Sequence, residues 1–122
     1  MKNKVCIIGY GSIGQRHHTI LQKFFTKNQI FIITQQKGIF NSLNEINDII
    51  DLNPKYIFVC NETSKHYKTI KFIEKNLNNK IVLIEKPLFV KSKNLNLINN
   101  KYYVGYNMRF NPILKEVRKF IK

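Results

Sequence analysis

Short, continuous apolar runs recur along this chain and are separated by amphipathic segments. The runs are rich in β-branched and aromatic residues without polar alternation, which is typical of strands buried on both faces of a sheet. Five strands are therefore predicted, at KVCIIGY (4–10), QIFIIT (29–34), KYIFVC (55–60), KIVLIE (80–85) and KYYVGYN (101–107).

The segments between these runs carry apolar residues at helical spacing. Ser42, with Glu45 three positions later, also has the pattern of a capping box, which marks a helix start. Helices are predicted over 12–25, 42–51, 64–77 and 91–98, and from Pro112 onward. The alternation predicts an α/β fold: one domain over residues 1–122, a Rossmann-type doubly wound parallel sheet of about five strands in the order 3-2-1-4-5.

Gly9, Gly11 and Gly14 form the pattern GxGxxG directly after the first predicted strand, where the first helix begins. There the first glycine permits a tight turn, the second lets the main chain approach a pyrophosphate, and the third lets the helix pack close to the strand. The main-chain N–H groups of Gly11, Ser12, Ile13 and Gly14 would bind the anion. The pattern predicts a dinucleotide site, and a purely structural turn is the alternative.

The end of the second predicted strand lacks the acidic residue that would bind the ribose hydroxyls of NAD. Thr34 and Gln35 are placed to hydrogen-bond the ribose instead, and Lys37 is placed to pair with a 2′-phosphate. The expected cofactor is therefore NAD(P), with NADP favoured over NAD. A degenerate site that binds neither nucleotide is the alternative.

The net charge is +14, but only three of the 21 basic residues are arginines, and the lysines are spread along the whole chain. This pattern predicts weak, salt-sensitive attraction to polyanions without a specific nucleic-acid site. Cys6 and Cys60 lie in apolar runs and are expected as buried free thiols, and no residues have metal-ligand spacing. No apolar run has the roughly 18 residues of a membrane span, and no cleavage pattern follows the first strand, so the expected location is the cytoplasm.

The chain also carries four longer motifs in order: GYGSIGQRH (9–17), CNETSKHYKTI (60–70), EKPL (85–88) and VGYNMRFNPIL (104–114). Together they resemble the N-terminal part of the Gfo/Idh/MocA family, whose members are NAD(P)-dependent oxidoreductases acting mostly on sugars and cyclitols. Within that family, the chain is most similar to members associated with nonulosonic-acid or surface-sugar pathways.

The resemblance implies cofactor contacts beyond the glycine turn. The loop of Asn61, Glu62 and Thr63 is expected to lie against the nicotinamide ribose and the diphosphate. His66 follows in the first turn of the next helix. It is expected either to contact the cofactor region or to be a partly buried structural histidine.

The resemblance also implies residues for chemistry. Lys86 is the expected catalytic residue, because a cation beside the substrate hydroxyl orients it and assists proton movement; a solvated surface lysine is the alternative. Glu85 is counted with the cofactor-binding residues and is expected to hold the site together. Arg109 is expected to bind substrate or, alternatively, to make a structural pair.

The family's second, α+β domain, which carries the substrate pocket, has no counterpart in these 122 residues. The chain is expected to be a fragment of a full enzyme; a minimal nucleotide module and half of a shared site are the alternatives. The expected function is the NAD(P)-binding domain of an oxidoreductase that acts on a sugar or cyclitol hydroxyl. Competing functions are a non-catalytic nucleotide-binding or assembly module and a polyanion-binding protein. The fifth strand is expected at an exposed sheet edge, which favours self-association.

Overall fold

Six parallel strands form a single sheet at the centre of the molecule. The computed structural model describes residues 3–85 and 97–105. The strands are β1 (Val5–Ile8), β2 (Ile30–Ile33), β3 (Ser42–Leu43), β4 (Tyr56–Val59), β5 (Ile81–Glu85) and β6 (Lys101–Gly105). The helices are α1 (Ser12–Leu21), α2 (Asp48–Leu52) and α3 (Thr63–Asn76), with a 3₁₀ turn at Lys27–Gln29. The spatial order of the strands is β3-β2-β1-β4-β5-β6, and all neighbours are parallel.

The strands form because their residues are apolar on both sides and the sheet is covered on both sides. Every residue of β1 and β4 is buried. One face of the sheet packs against Leu21 of α1, and the other packs against Ile49 of α2 and Ile70 and Ile73 of α3. Helices on both faces of a parallel sheet confirm the predicted Rossmann-type, doubly wound fold.

The third strand of the sheet was missing from the predicted set. Ser42 and Leu43 pair with the end of β2 rather than beginning a helix, and the N–H of Thr34 donates to the carbonyl of Leu43 at 2.9 Å. Two residues are too few to leave a strand periodicity, so the apolar positions that follow dominate the pattern. The predicted helix over 42–51 is wrong in its start, because α2 covers only Asp48–Leu52.

This short strand changes the numbering of the others. The segment predicted as the third strand, 55–60, contains β4, and it lies beside β1 rather than beside β2. With β3 counted, the order 3-2-1-4-5 holds, and β6 extends it at the far edge. The predicted helix over 12–25 is too long, because α1 ends at Leu21 and the chain turns to pack Phe25 against Tyr56. The helix predicted from Pro112 and most of the one over 91–98 lie outside the described residues.

Glu74 of α3 holds the segment that enters β6. Its carboxylate accepts hydrogen bonds from the N–H groups of Ile98 (2.8 Å) and Asn99 (2.7 Å), from the hydroxyl of Tyr102 (2.9 Å) and from the side chain of Asn100 (3.3 Å). Burial raises the pKa of Glu74, but these hydrogen bonds to the charged form outweigh it and leave the pKa below its ordinary value. Within residues 3–85 and 97–105, no helix combines the length and apolar character of a membrane span.

Candidate functional site

The three glycines of the turn after β1 have different roles. Gly9 has a φ of +95°, and a Cβ there would lie 2.7 Å from the backbone N and Cα of Asn61. A Cβ on Gly14 would lie 2.2 Å from the carbonyl oxygen of Gly9. A Cβ on Gly11 would meet nothing within 4 Å. Gly9 and Gly14 are therefore required by the packing of the turn itself, whereas the absence of a side chain at Gly11 leaves the main chain open to solvent.

The first turn of α1 has the properties of an anion site. Gly11 is the N-cap residue, and no side chain makes a capping hydrogen bond there. No acidic residue lies in this turn, and the side chains of Ser12 and Ile13 are exposed. The first N–H groups of a helix have no partner within the helix, and they carry the positive end of its dipole. This terminus is therefore open to a phosphate group.

A cavity of about 710 Å³ lies beside this turn, at the carboxyl ends of β1, β2 and β4. Gly9 and Gly11 line it from β1, Thr34 and Gln35 from β2, and the Asn61–Glu62 loop from β4; Ile46 and Phe72 contribute apolar surface. The chain leaves β1 and β4 towards opposite faces of the sheet, since α1 packs on one face and α3 on the other. This is the crevice where doubly wound proteins bind ligands.

Asn61 is a half-buried residue of the cavity, and one of its polar atoms lacks a hydrogen-bond partner. Its side-chain amide donates to the hydroxyl of Thr69 at 2.9 Å, and its main-chain carbonyl accepts from Nε2 of His66 at 2.9 Å. Its Oδ1 is buried without a hydrogen-bond partner. Because an unpaired buried acceptor is costly, a ligand hydroxyl or amide that donates to Oδ1 would stabilise this arrangement.

The structure places His66 behind the loop rather than in the cavity. His66 is 1% exposed, and its ring contacts the Asn61 carbonyl, so it positions this part of the loop. Glu62 is the N-cap residue of α3 and lines the cavity, and Thr63 is the first residue of that helix.

The end of β2 is held by side-chain to main-chain contacts. The hydroxyl of Thr34 accepts from the N–H of Gln36 at 3.1 Å, and the side chain of Gln35 donates to the carbonyl of Asn44 at 2.6 Å. Gln36 also reaches the carbonyl of Tyr10 in the glycine turn at 2.8 Å. Lys37 is exposed and is not among the cavity-lining residues.

Two other lysines line the cavity, and neither was predicted from the sequence as a site residue. Lys65 and Lys68 lie one helical turn apart near the start of α3. Lys65 is 4.0 Å from Glu62, whereas Lys68 has no ion pair among the described residues. The spacing in the motif CNETSKHYKTI contained this signal, because positions i and i+3 of a helix share a face.

Glu85, the last residue of β5, contacts the inner side of α1. Nε2 of His17 lies 2.5 Å from Oε2 of Glu85, and the histidine is 2% exposed. Burial and, second to it, the Glu85 carboxylate raise the pKa of the Cys60 thiol. His17 was not predicted as a site residue, although it closes the motif GYGSIGQRH and lies three positions after Gly14. Lys86 and Arg109 lie outside the described residues.

Comparison with protein-family models and with curated proteins gives no match. Solved structures do match. One is a scyllo-inositol dehydrogenase from Lactobacillus casei, with 17% identity and a TM-score of 0.64 over 98% of this chain. Another is a myo-inositol 2-dehydrogenase from Lactobacillus plantarum, with 18% identity and a TM-score of 0.61 over 99% of this chain. A third is the UDP-N-acetylglucosamine 3-dehydrogenase GnnA from Acidithiobacillus ferrooxidans, with 15% identity and a TM-score of 0.56 over 74% of this chain.

These similarities establish the fold. The sheet and its helices match part of each dehydrogenase, and the match spans 41%, 41% and 31% of the three chains, respectively. This chain therefore corresponds to less than half of the length of the enzymes that it resembles.

Proposed function

We propose that this chain binds NAD(P) in the cavity beside the glycine turn, as the nucleotide-binding part of an oxidoreductase that acts on a sugar or cyclitol hydroxyl. The proposal rests on the different surroundings of the three glycines. The packing of the turn requires glycine at positions 9 and 14. Gly11, in contrast, has open space around it and lies at a helix N-terminus that no side chain caps. The packing of the turn does not require a glycine at position 11, because a side chain there would meet open space.

The cavity residues fit a dinucleotide. The amides of Gly11, Ser12 and Ile13 would hold the diphosphate, and the buried Oδ1 of Asn61 would accept a hydrogen bond from a cofactor hydroxyl or amide. Thr34 and Gln35 border the cavity where a ribose would be bound. Bound NAD(P) would supply a hydride acceptor for the substrate carbon.

The four sequence motifs and the similar structures support the family within this proposal. Inositol dehydrogenase is one of the activities after which the Gfo/Idh/MocA family is named, and two of the similar structures are inositol dehydrogenases. In this scheme Lys86 holds the proton of the substrate hydroxyl, and Arg109 holds the substrate. Glu85, fixed by His17, anchors the strand end that precedes Lys86.

Preference for NADP is part of the proposal. No carboxylate lies at the end of β2, where one would repel a 2′-phosphate. Lys65 and Lys68 face the same cavity as Thr34 and Gln35, so they are better placed than the exposed Lys37 to pair with that phosphate.

Calorimetric titration with NADP and NAD tests the binding. We expect Gly11→Asp to weaken NADP at least about tenfold, or about 1.4 kcal/mol, because a carboxylate would occupy the space of the diphosphate. The fold should tolerate it, since the position is open. Asn28→Asp is the matched control, because it makes the same charge change at an exposed residue of the 3₁₀ turn that precedes β2. Equal affinities of the two variants would refute the site.

A second pair of variants tests the cofactor preference. We expect Lys68→Gln to reduce the affinity for NADP several-fold and to leave the affinity for NAD unchanged. Lys71→Gln, which removes a lysine from α3 that contacts the Tyr67 ring, is the control. If Lys68→Gln affects both nucleotides equally, Lys68 does not distinguish the 2′-phosphate.

A further inference from the structure

A row of lysines crosses the opposite, amino-terminal edge of the sheet. Lys4, Lys55 and Lys80 each directly precede a strand, and the register places Val5, Tyr56 and Ile81 level with one another. Neighbouring strands lie about 4.8 Å apart, so the three lysines are side by side along this edge. Asn100 is level with Lys80 at the start of β6, whereas Lys101 is level with Ile81 and lies one position beyond the row.

The row borders a second cavity, of about 350 Å³. Lys55, Lys80 and Lys101 line it together with Asn79, Asn99 and Asn100. Its position at the amino ends of β4, β5 and β6 separates it from the nucleotide cavity by the length of the strands.

The loops that form this cavity are fixed to one another. The N–H of Lys80 donates to the side-chain oxygen of Asn100 at 2.7 Å, and the N–H of Asn79 donates to the carbonyl of Asn99 at 2.7 Å. The side chain of Asn100 also donates to the carbonyl of Leu77 at 2.9 Å. Hydrogen bonds therefore join the loops that line the cavity, so it is not a gap between independent loops.

No lysine of this cavity has an ion-pair partner among the described residues. The ion pairs within residues 3–85 and 97–105 are His17–Glu85 and Lys65–Glu62, and neither includes a lysine of the row. The carboxylate of Glu74 accepts hydrogen bonds from three residues that line the cavity, Ile98, Asn99 and Asn100, and makes no ion pair with its lysines. Nζ of Lys55 donates to the carbonyl of Asn79 at 3.2 Å.

Burial and a neighbouring positive charge both destabilise the charged form of Lys80. It is 9% exposed, and burial, followed by the neighbouring charge of Lys55, lowers its pKa. Like charges on adjacent strands destabilise a sheet unless something offsets them. A multivalent anion between the two ammonium groups would offset them.

We propose that this amino-edge cavity is a second binding site, which takes a small multivalent oxyanion of the phosphate class between Lys55 and Lys80, with Lys101 at its border. Two ammonium groups and a rigid, amide-lined wall suit a compact dianion or trianion better than a long polyanion. The site is independent of NAD(P) binding and stands even if the nucleotide proposal fails.

The test uses inorganic pyrophosphate in 150 mM NaCl (about an 8 Å Debye length), so that non-specific attraction is screened. All variants are made in the Gly11→Asp background, which removes the glycine turn as a competing anion site. We expect saturable binding that raises the melting temperature, and at least a tenfold loss of affinity in Lys80→Gln and in Lys55→Gln. Lys75→Gln, an exposed position on α3, removes the same charge elsewhere and is the control.

The melting temperatures without pyrophosphate provide a second readout. Lys80→Gln and Lys55→Gln are each expected to melt at or above the temperature of the parent, because each relieves a like-charge contact. Non-saturable binding, or the same loss of affinity in all three variants, would overturn the proposal and leave only general attraction to a basic protein. Tighter binding of a single-stranded oligonucleotide than of pyrophosphate, abolished by the same two variants, would also overturn it.

Discussion

Gly14→Ala tests how closely α1 approaches the turn after β1. The new Cβ would lie 2.2 Å from the carbonyl oxygen of Gly9, whereas Cβ atoms essentially never approach another atom within 3.0 Å. The two atoms must therefore separate by at least 0.8 Å, the difference between these values. The neighbour is main chain and cannot rotate away, and the N–H of Gly9 is bound to the carbonyl of Ile33 at 2.9 Å. The helix, the turn or both must shift.

The expected cost follows from two opposing effects. Forced overpacking costs about 1–3 kcal/mol, and the rigid neighbour places this case near the upper end. Alanine recovers up to about 1 kcal/mol through its higher helix propensity. We expect a net loss of about 2 kcal/mol, which for a chain of this size lowers the melting temperature by about 8 °C.

Thermal unfolding followed by circular dichroism measures this loss, with Gly11→Ala as the matched control. Gly11 has open space around it, so its variant should melt within about 2 °C of the parent while binding NADP more weakly. A Gly14→Ala variant that melts with the parent would show that the helix does not lie as close to the turn as the structure has it.

Two further predictions concern ionisable groups. Glu74→Gln should cost about 1 kcal/mol at pH 7, because the carboxylate accepts several hydrogen bonds and is largely solvated. Its pKa is lowered on folding, so this stabilisation is present above pH 4.5 and is lost as the pH falls through the folded pKa. Urea unfolding at pH 7 and pH 3.5 should show the difference between parent and variant shrinking, and a constant difference would contradict the assignment. Burial raises the pKa of the Cys6 thiol, so a disulfide reagent at pH 8 should label Cys6 quickly only in guanidinium chloride, whereas Cys60 is half-buried at the cavity; rapid labelling of Cys6 in native protein would contradict its burial.

Much of the fold could be predicted because its signals are local. The continuous apolar run of β1 and the glycines after it lie within a few residues of each other, and both are where the sequence placed them. β3 could not be predicted, because a two-residue strand is defined by the neighbour that it pairs with and not by its own pattern.

Some residues of the candidate site could likewise be predicted from local sequence, and others could not. Thr34 directly follows β2 and Asn61 lies two residues after β4, so their place at the carboxyl edge was predictable. Lys37 was assigned from its distance along the chain, and the turn after β2 leaves it outside the cavity lining. The contact between His17 and Glu85 joins residues 68 positions apart, which no local pattern reveals.

That contact has a mechanical consequence. The first turn of α1 faces the cavity, and His17 of the same helix contacts Glu85, the last residue of β5. A ligand bound at the amino end of α1 would therefore act on the same helix that contacts Glu85. The position of Glu85 is in this way linked to the occupancy of the cavity through one helix.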